Sequence, residues 1–312
     1  MKYLVTGGAG FIGSHIVQKI LESGDFVRVV DNFSTGKTEN IKEFLGNEKF
    51  DLMEGDLTDF AIAKKAVEEI DIVLHQAAIP SVPRSIADPI RSTNANVMGT
   101  LHILLAARDA GVKRVVYASS SSIYGDNPAL PKREDFPVRP ISPYALTKYV
   151  GERYAQIFWS IYQLPTLCLR YFNVFGPKQD PQSQYAPVMP KFITALLNGE
   201  QPHIFGDGSQ SRDFTYVDNV VQANLLAAKA DSGFGEVFNV ACGKETTLNA
   251  VVQMMSRMIG SNGMPAYEPA RIGDVPHSLA DISKAKQILG YSPHVDIEEG
   301  IRRTIEWFKA HA

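Results

Sequence analysis

Tyr144 and Lys148, in Tyr144-Ala145-Leu146-Thr147-Lys148, are four apart and are the residues of this chain whose types and spacing most directly suggest chemistry. On a helix they share one face. An ammonium beside a phenol stabilises the phenolate and lowers the tyrosine's pKa toward neutrality, which makes a general base. The spacing alone is common in amphipathic helices, where it usually means a solvated lysine beside a half-buried tyrosine. Two neighbours favour the chemical reading. Pro140-Ile141-Ser142-Pro143 forces an abrupt helix entry. Ser119-Ser120-Ser121-Ser122 closes a buried strand with four hydroxyls, groups able to donate and accept around a sugar hydroxyl.

A second constellation stands at the start: Thr6-Gly7-Gly8-Ala9-Gly10-Phe11-Ile12-Gly13. Residues 2–6 read as a short apolar strand, 11–21 carry apolar residues at helical spacing, and 26–31 form a second strand. In that order Gly7 serves the tight turn, Gly10 the approach of a pyrophosphate, and Gly13 close packing of helix on sheet. The phosphates meet the helix N-terminus, whose free N–H groups favour anions. Asp31 ends the second strand, where a carboxylate accepts hydrogen bonds from both ribose hydroxyls. A 2′-phosphate there meets a negative charge with no cation at Asn32 or Phe33. NAD is expected rather than NADP.

Composition bounds the rest. The 312 residues suit one elaborated domain or two, and 45% hydrophobic with 21% charged residues is ordinary for a globular protein. Lys and Arg number 31 against 34 for Asp and Glu, a net charge of −3, so no basic footprint for nucleic acid or membrane exists. No apolar run approaches membrane-spanning length and no signal peptide precedes the first strand, so a cytoplasmic protein is expected. Cys168 and Cys242 are expected to be buried free thiols. The seven His residues show no metal-ligand spacing, and no metal is expected.

These residues need a scaffold, and the pattern supplies one. Further strands are expected at 51–57, 71–76, 114–119 and 166–171, separated by helices at 59–69, 93–110 and 144–162. The alternation predicts an α/β fold with a doubly wound parallel (Rossmann) sheet. Ligands then sit beyond the carboxyl ends of the strands, near Gly7, Asp31, Asp56, Ala77-Ala78, Ser119 to Ser122 and Asn173. From Val174 prolines and glycines break the alternation, predicting a smaller, loop-rich α/β substrate lobe. Residues 1–173 are expected to form the dinucleotide domain, rejoined by 218–242, with 174–217 and 243–312 as the lobe. No internal repeat or long linker is present.

The two constellations, with Gly55-Asp56-Leu57, His75-Gln76-Ala77-Ala78, Ser119 to Gly125, Arg170-Tyr171-Phe172-Asn173, Arg212-Asp213-Phe214 and Arg271-Ile272-Gly273-Asp274, span essentially the whole chain. With them the chain resembles the extended short-chain dehydrogenase/reductases of the nucleotide-sugar epimerase family, the UDP-N-acetylglucosamine 4-epimerases most of all. The resemblance implies Ser120 and Tyr144 as catalytic serine and base, with Lys148 on the nicotinamide ribose. It implies that NAD is held by Gly7, Gly10, Phe11, Ile12, Gly13, Asp31, Asn32, Ser34, Gly36, Asp56, Leu57, Gln76, Ala77, Ala78, Tyr144, Lys148, Tyr171 and Phe172. On the substrate side it implies Ser81, Ser120, Ser121, Ser122, Tyr144, Asn173, Gln179, Val188, Arg212, Arg271, Asp274 and Ser278, with the arginines on the diphosphate and Asp274 on the ribose of UDP.

The implied reaction is transient oxidation of a UDP-hexose at C4 and return of the hydride to the other face. Ser278 is implied to wall the hexose pocket where glucose-restricted relatives carry tyrosine, leaving room for a 2-acetamido group. Dehydratases and decarboxylases of the superfamily need a carboxyl group just after the catalytic hydroxyl, where this chain has Ser121 and Ser122. Uronate 4-epimerases are nearer rivals, though typically with threonine in place of Asn173, and a non-catalytic NAD-linked sensor is the alternative of a different class. Related enzymes pair two helices as a four-helix bundle. The helices at 93–110 and 144–162 carry apolar residues beyond one face, among them Leu101, Leu104, Leu105, Phe158 and Trp159; ordinary core packing explains much of this, and a homodimer through these helices is expected.

Overall fold

The computed structural model describes residues 1–181, 187–261, 263–269 and 276–311. Strands β1 (Lys2–Thr6), β2 (Phe26–Asp31), β3 (Phe50–Glu54), β4 (Ile72–His75), β5 (Arg114–Ser120) and β6 (Thr166–Tyr171) join the strand Glu236–Val240 in one sheet. Its spatial order is Glu236–Val240, β6, β5, β4, β1, β2, β3, with every neighbouring pair parallel. The chain winds outward in both directions from β1 and β4, so the crevice between them is the switch point where such sheets bind ligands. This is the doubly wound α/β architecture expected from the alternation.

Both faces of the sheet are covered, which is why its strands read as nearly continuous apolar runs. On one face Ile16, Val17 and Ile20 of helix α1 (Phe11–Glu22) pack with Val5, Val29, Leu167 and Leu169. On the other face lie helices α2 (Phe60–Ala66), α3 (Val82–Ala87), α4 (Pro89–Thr93), α5 (Gly99–Asp109) and α6 (Pro143–Tyr162). There Ala63, Ile103, Leu104 and Phe158 meet Leu4, Val73 and Val115. A separate cluster of Phe192, Ile193, Val251, Met255, Ile301 and Phe308 is built by α7 (Val188–Leu197) and two later helices, Leu248–Ile259 and Ile297–Ala310. Helix α8 (Val217–Lys229) returns the chain to the sheet's first face, where Ala223 and Ala227 are buried.

Several boundaries differ from the sequence expectation. The strand expected at 51–57 stops at Glu54, because Asp56 turns the chain by accepting hydrogen bonds from the Thr58 N–H and hydroxyl, both at 2.8 Å. The helix expected over 93–110 is α4, a π-helical stretch Asn94–Met98 and α5. Residues 82–93 form two short helices, with Pro83 and Pro89 in their first turns, where proline costs no backbone bond, and Ser81 and Asp88 as caps. Cys168 is buried as expected, but Cys242 lies past the strand end and is only partly buried. Of the residues expected to serve pairing, Leu104 and Phe158 are buried in this chain's own core and Leu101 and Leu105 pack against it. Trp159 stacks edge-on against Phe234 at 5.3 Å. Leu104 and Phe158 are thus committed to the core, while Leu101, Leu105 and Trp159 are partly buried. Exposed apolar residues of this helical layer include Ile90, Met98, Leu146, Ile157 and Ile161. Among the described residues no helix is long and apolar enough to cross a membrane, and no group of His, Cys, Asp and Glu could hold a metal ion.

Candidate active site

The carboxyl ends of β1, β2, β4, β5 and β6 open on a cavity of about 780 Å³. Its wall begins with the turn from β1 into α1. Gly7 has a φ of +67°, and a side chain there would meet the Ala77 backbone at 2.8 Å. A Cβ on Gly13 would stand 2.2 Å from the Gly7 carbonyl oxygen, so α1 lies as close to the strand as a backbone can. Gly10 has no side-chain cap and starts the helix, leaving the first N–H groups of α1 facing the cavity that Gly10, Phe11, Ile12 and Gly13 line.

Asp31 is buried, and its carboxylate accepts from the Ala9 N–H at 3.0 Å and the Phe33 N–H at 2.9 Å. Burial raises its pKa against the pull of those backbone donors. Gly36 leaves the carboxylate its space, since a Cβ there would lie 2.9 Å from Oδ2. Asn32 donates to Asp56 Oδ2 at 2.8 Å and accepts from the Ser34 N–H at 3.1 Å, tying together three more residues of the wall. Leu57, Gln76, Ala77 and Ala78 complete this side. The pocket is deep, glycine-floored, open at a helix N-terminus and edged by the Asp31 carboxylate at the end of β2. That is what a dinucleotide with free ribose hydroxyls requires.

The chemical end is assembled by β5 and α6. Ser142 caps α6 by accepting from the Ala145 N–H at 3.2 Å, Pro143 stands in its first turn, and Ser85 holds the Tyr144 N–H at 3.0 Å. Tyr144 and Lys148 both line the cavity, one helical turn apart. Ser120 lies near enough to the Tyr144 phenol to pull its pKa down. Lys148 donates to the Ala118 carbonyl at 2.8 Å, and burial lowers its pKa to about 8 while Glu152 pulls it back up.

The lowered tyrosine pKa expected from the sequence draws on a nicotinamide's positive charge as well as on the ammonium. Burial pushes the phenol's pKa up, with Ser120 opposing, so the protein's own groups do not by themselves bring it toward neutrality. The ammonium is spent on a backbone carbonyl instead. The serine cluster also divides its work. Ser119, rather than Ser120, lies on the cavity lining, with its hydroxyl donated to Glu152 at 2.5 Å. Ser122 donates to Ser120 from both hydroxyl (2.9 Å) and N–H (3.2 Å), holding the Ser120 oxygen at the strand end. Ser121 opens the 3₁₀ turn that follows.

Tyr171 lines the cavity, and its hydroxyl is bound to Gln76 Oε1 at 3.0 Å and to Asn224. Asn173 lines it too, in the left-handed region at φ +38°. Gln179 contributes a buried Oε1 with no partner among the described residues. Ser81 caps α3 at the rim in an unusual conformation with φ +93°.

Other expected residues are not on the lining. Phe172 is wholly buried against Tyr124, because its place just past β6 turns it into the core. Val188 begins α7 next to Pro187, which does line the cavity. Arg212 folds its guanidinium onto the carbonyls of Ser211 (2.8 Å) and Pro276 (3.1 Å), and Ser278 pairs beside it on a neighbouring short strand. Arg271 and Asp274 lie outside the described residues.

Two residues of the site were given no role by the sequence, His75 although it stands in a quoted motif and Asn96 without any signal. His75 bridges Thr6 (2.7 Å) and Thr100 (3.0 Å) beneath the floor, held neutral because burial and then Lys148 lower its pKa to about 3. Asn96, in the π-helical stretch, clamps Ile79 through its N–H at 2.7 Å and its carbonyl at 3.2 Å, and also bonds Thr147 on α6. The π turn aims that amide at the loop, a use such turns often have near sites.

Residues 3–241 match the model of the NAD dependent epimerase/dehydratase family. A UDP-glucose 4-epimerase of Mycolicibacterium smegmatis is 40% identical over 311 residues, 99% of each chain. Two solved structures superpose with a TM-score of 0.94, and in each case the match covers 100% of this chain and 99% of the other. One is the UDP-glucose 4-epimerase of Thermotoga maritima with UDP-glucose, 41% identical. The other is a UDP-N-acetylglucosamine 4-epimerase of Methanobrevibacter ruminantium in complex with UDP-N-acetylmuramic acid, 43% identical. With a glycine-floored dinucleotide crevice, a Tyr/Lys pair on its wall and relatives matched from end to end, this chain belongs to the NAD-dependent epimerase/dehydratase family.

Proposed function

We propose that the protein is an NAD-dependent UDP-sugar 4-epimerase acting on UDP-N-acetylglucosamine and UDP-N-acetylgalactosamine, and also on UDP-glucose and UDP-galactose. The observation that carries the reading is Tyr144, one helical turn from Lys148 on the wall of the cavity and influenced by the neighbouring Ser120. Similarity to a UDP-glucose 4-epimerase and a UDP-N-acetylglucosamine 4-epimerase supports both sugar pairs.

NAD is held by the Gly7 to Gly13 turn and α1 N-terminus on its diphosphate, by Asp31 on a ribose, and by Lys148 on the nicotinamide ribose. When bound it supplies a hydride acceptor and donor, and a positive charge beside the phenol. Tyr144 takes the proton of the sugar's 4-hydroxyl, with Ser120 orienting that hydroxyl, and returns it when the sugar is re-formed. Between these steps the 4-keto sugar must turn over while UDP stays anchored. That anchoring falls to Asn173, Gln179, Arg212, Arg271 and Asp274, a division that places the dinucleotide on 1–173 with 218–242 and UDP on 174–217 with 243–312. Ser121 and Ser122 present no carboxyl group, so water elimination has no acid to drive it.

Ser278 supports the acetamido sugars because its side chain is small where a bulky one would fill the hexose pocket. Ser81, Ser121 or Ser122 supply hydrogen bonds to the amide. The exposed apolar residues Ile90, Met98, Leu146, Ile157 and Ile161 are assigned to a homodimer. Cytoplasmic residence fits two free thiols. The test is incubation with five UDP-sugars, the two pairs above and UDP-glucuronate, followed by separation of products. Interconversion of the acetamido pair at least as efficient as that of UDP-glucose and UDP-galactose is expected. Turnover of UDP-glucuronate alone, or of none, overturns the reading.

A further inference from the structure

Glu152 stands one helical turn beyond Lys148 and two beyond Tyr144 on the same face of α6, and is wholly buried. Its Oε1 accepts the Ser119 hydroxyl at 2.5 Å and Arg170 Nε at 2.9 Å, and Oε2 accepts Arg170 Nη2 at 2.9 Å. Arg170 spends Nη1 on the Tyr124 hydroxyl at 2.8 Å, and Tyr124 donates to Asn239 at 2.7 Å. Three consecutive residues of β5 thus each meet a side chain from one helix face. Ala118 bonds Lys148, Ser119 bonds Glu152, and Ser120 stands next to the Tyr144 phenol. Arg170 adds the end of β6, which leads directly to Tyr171 and Asn173 on the cavity wall.

We propose that Glu152, clasped by Ser119 and Arg170, is a positioning residue for the reaction: it fixes the register of α6 on β5 at the Tyr144–Lys148 pair and keeps the Lys148 ammonium charged. Burying an ion pair is rarely worth its desolvation as a stability device, since apolar residues of the same volume do as well or better. A bidentate pair behind a catalytic lysine has another use. Lys148 is surrounded by groups that disfavour or only weakly favour its charge. His75 faces it from β4 as a neutral ring, and the Tyr117 ring from β5 lies 5.2 Å from Nζ. Tyr144 shares its helix. Cys168 and Arg170 stand on β6, the thiol held neutral by burial and the guanidinium matched to Glu152. Among these groups Glu152 is the one anion. A substitution to an uncharged isostere removes that anion, which pushes the ammonium toward losing its proton, and leaves Arg170 without its carboxylate.

The rate readouts of the test rest on the epimerase reading, whereas the titration readout does not. Protein labelled with ¹³C-lysine is titrated by NMR, with Lys148→Met identifying the resonance. In Glu152→Gln the Lys148 titration is expected to move down by about one pH unit or more. Its kcat is expected to fall about 10- to 100-fold, with bound NAD and the KM for the UDP-sugar little changed. Glu152→Asp, which keeps the charge, is expected to restore the titration and part of kcat. A wild-type protein that converts no UDP-hexose contradicts the epimerase reading, and the titration still judges the clasp. An unmoved Lys148 titration in Glu152→Gln, or a loss of stability equal in Gln and Asp variants with no titration shift, overturns the proposal. If Glu152→Gln fails to fold, Ser119→Ala removes one bond of the clasp and leaves no charge unpaired. It is expected to lower kcat severalfold at constant KM, and an unchanged kcat overturns the proposal.

Discussion

Replacing Gly13 by alanine tests the cofactor crevice at its tightest point. The added Cβ would stand 2.2 Å from the Gly7 carbonyl oxygen, 2.8 Å from Gly8 Cα and 2.9 Å from the Gly7 carbonyl carbon. All three are backbone atoms, which cannot rotate aside as a side chain would. Relief requires the first turn of α1 to withdraw from the strand by roughly 1 Å to restore ordinary van der Waals contact. Overpacking of this kind costs about 1–3 kcal/mol, against about 1 kcal/mol returned by alanine's better helix propensity. Global stability should therefore fall by no more than about 2 kcal/mol. The cofactor site loses more. A displaced N-terminus no longer aims its N–H groups at a diphosphate, and losing about 1.5–3 kcal/mol of charge-assisted hydrogen bonding weakens binding roughly 10- to 100-fold. NAD content of purified protein, calorimetric titration of NAD into stripped protein and a thermal melt form the assay. A variant that keeps wild-type NAD affinity refutes the reasoning.

Other substitutions probe other parts of the account. Asp31→Asn removes the charge that meets a 2′-phosphate and should narrow the preference for NAD over NADP; a wild-type enzyme that prefers NADP contradicts it. Ser278→Tyr should abolish conversion of UDP-N-acetylglucosamine by filling the acetamido space while sparing UDP-glucose, read as kcat/KM for both pairs; retained activity on the acetamido pair removes Ser278 as the gate. Asp213 is fully buried and accepts backbone N–H bonds from Cys242, Gly243 and Ala280, and burial raises its pKa to about 6. A raised carboxyl pKa favours folding below the unfolded value of 3.8, and that contribution is lost as pH rises through about 6. Relative to Asp213→Asn, wild type should therefore lose about 3 kcal/mol of stability between acid and neutral pH, measured by urea unfolding across that range. Parallel curves would contradict the assignment.

The doubly wound order was legible because parallel strands buried on both faces are written as apolar runs, such as Leu4-Val5 and Val115-Val116, with helical periodicity between them. Gly7, Gly13 and Asp31 were legible because a dinucleotide turn constrains backbone and charge at fixed spacing. What escaped the sequence was set by tertiary placement. The short helices that carry Pro83 and Pro89 in their first turns have no apolar periodicity long enough to announce them, and the Asn94–Met98 π turn interrupts a pattern that reads as one continuous helix. A helical apolar stripe does not say which neighbour it meets, so Leu104 and Phe158 could not be told from a pairing face. Spacing put Lys148 beside Tyr144, but the partner it takes, the Ala118 carbonyl, comes from a strand about 30 residues away. Glu152 and Arg170 find each other across 18 residues, from helix to strand, for the same reason. The placement of Arg271 and Asp274 stays with the proposal.

The central claim is that Tyr144 moves the proton of the sugar's 4-hydroxyl in a reversible epimerisation. It is tested most directly by following UDP-N-acetylglucosamine and UDP-N-acetylgalactosamine from both directions with wild type and Tyr144→Phe, alongside calorimetric affinity for the nucleotide sugar. Both starting materials should reach the same mixture with wild type. The phenylalanine variant should be slower by about three orders of magnitude or more at nearly unchanged affinity, as expected when an interaction made only in the transition state is removed. A Tyr144→Phe protein that keeps most of the wild-type turnover contradicts the account.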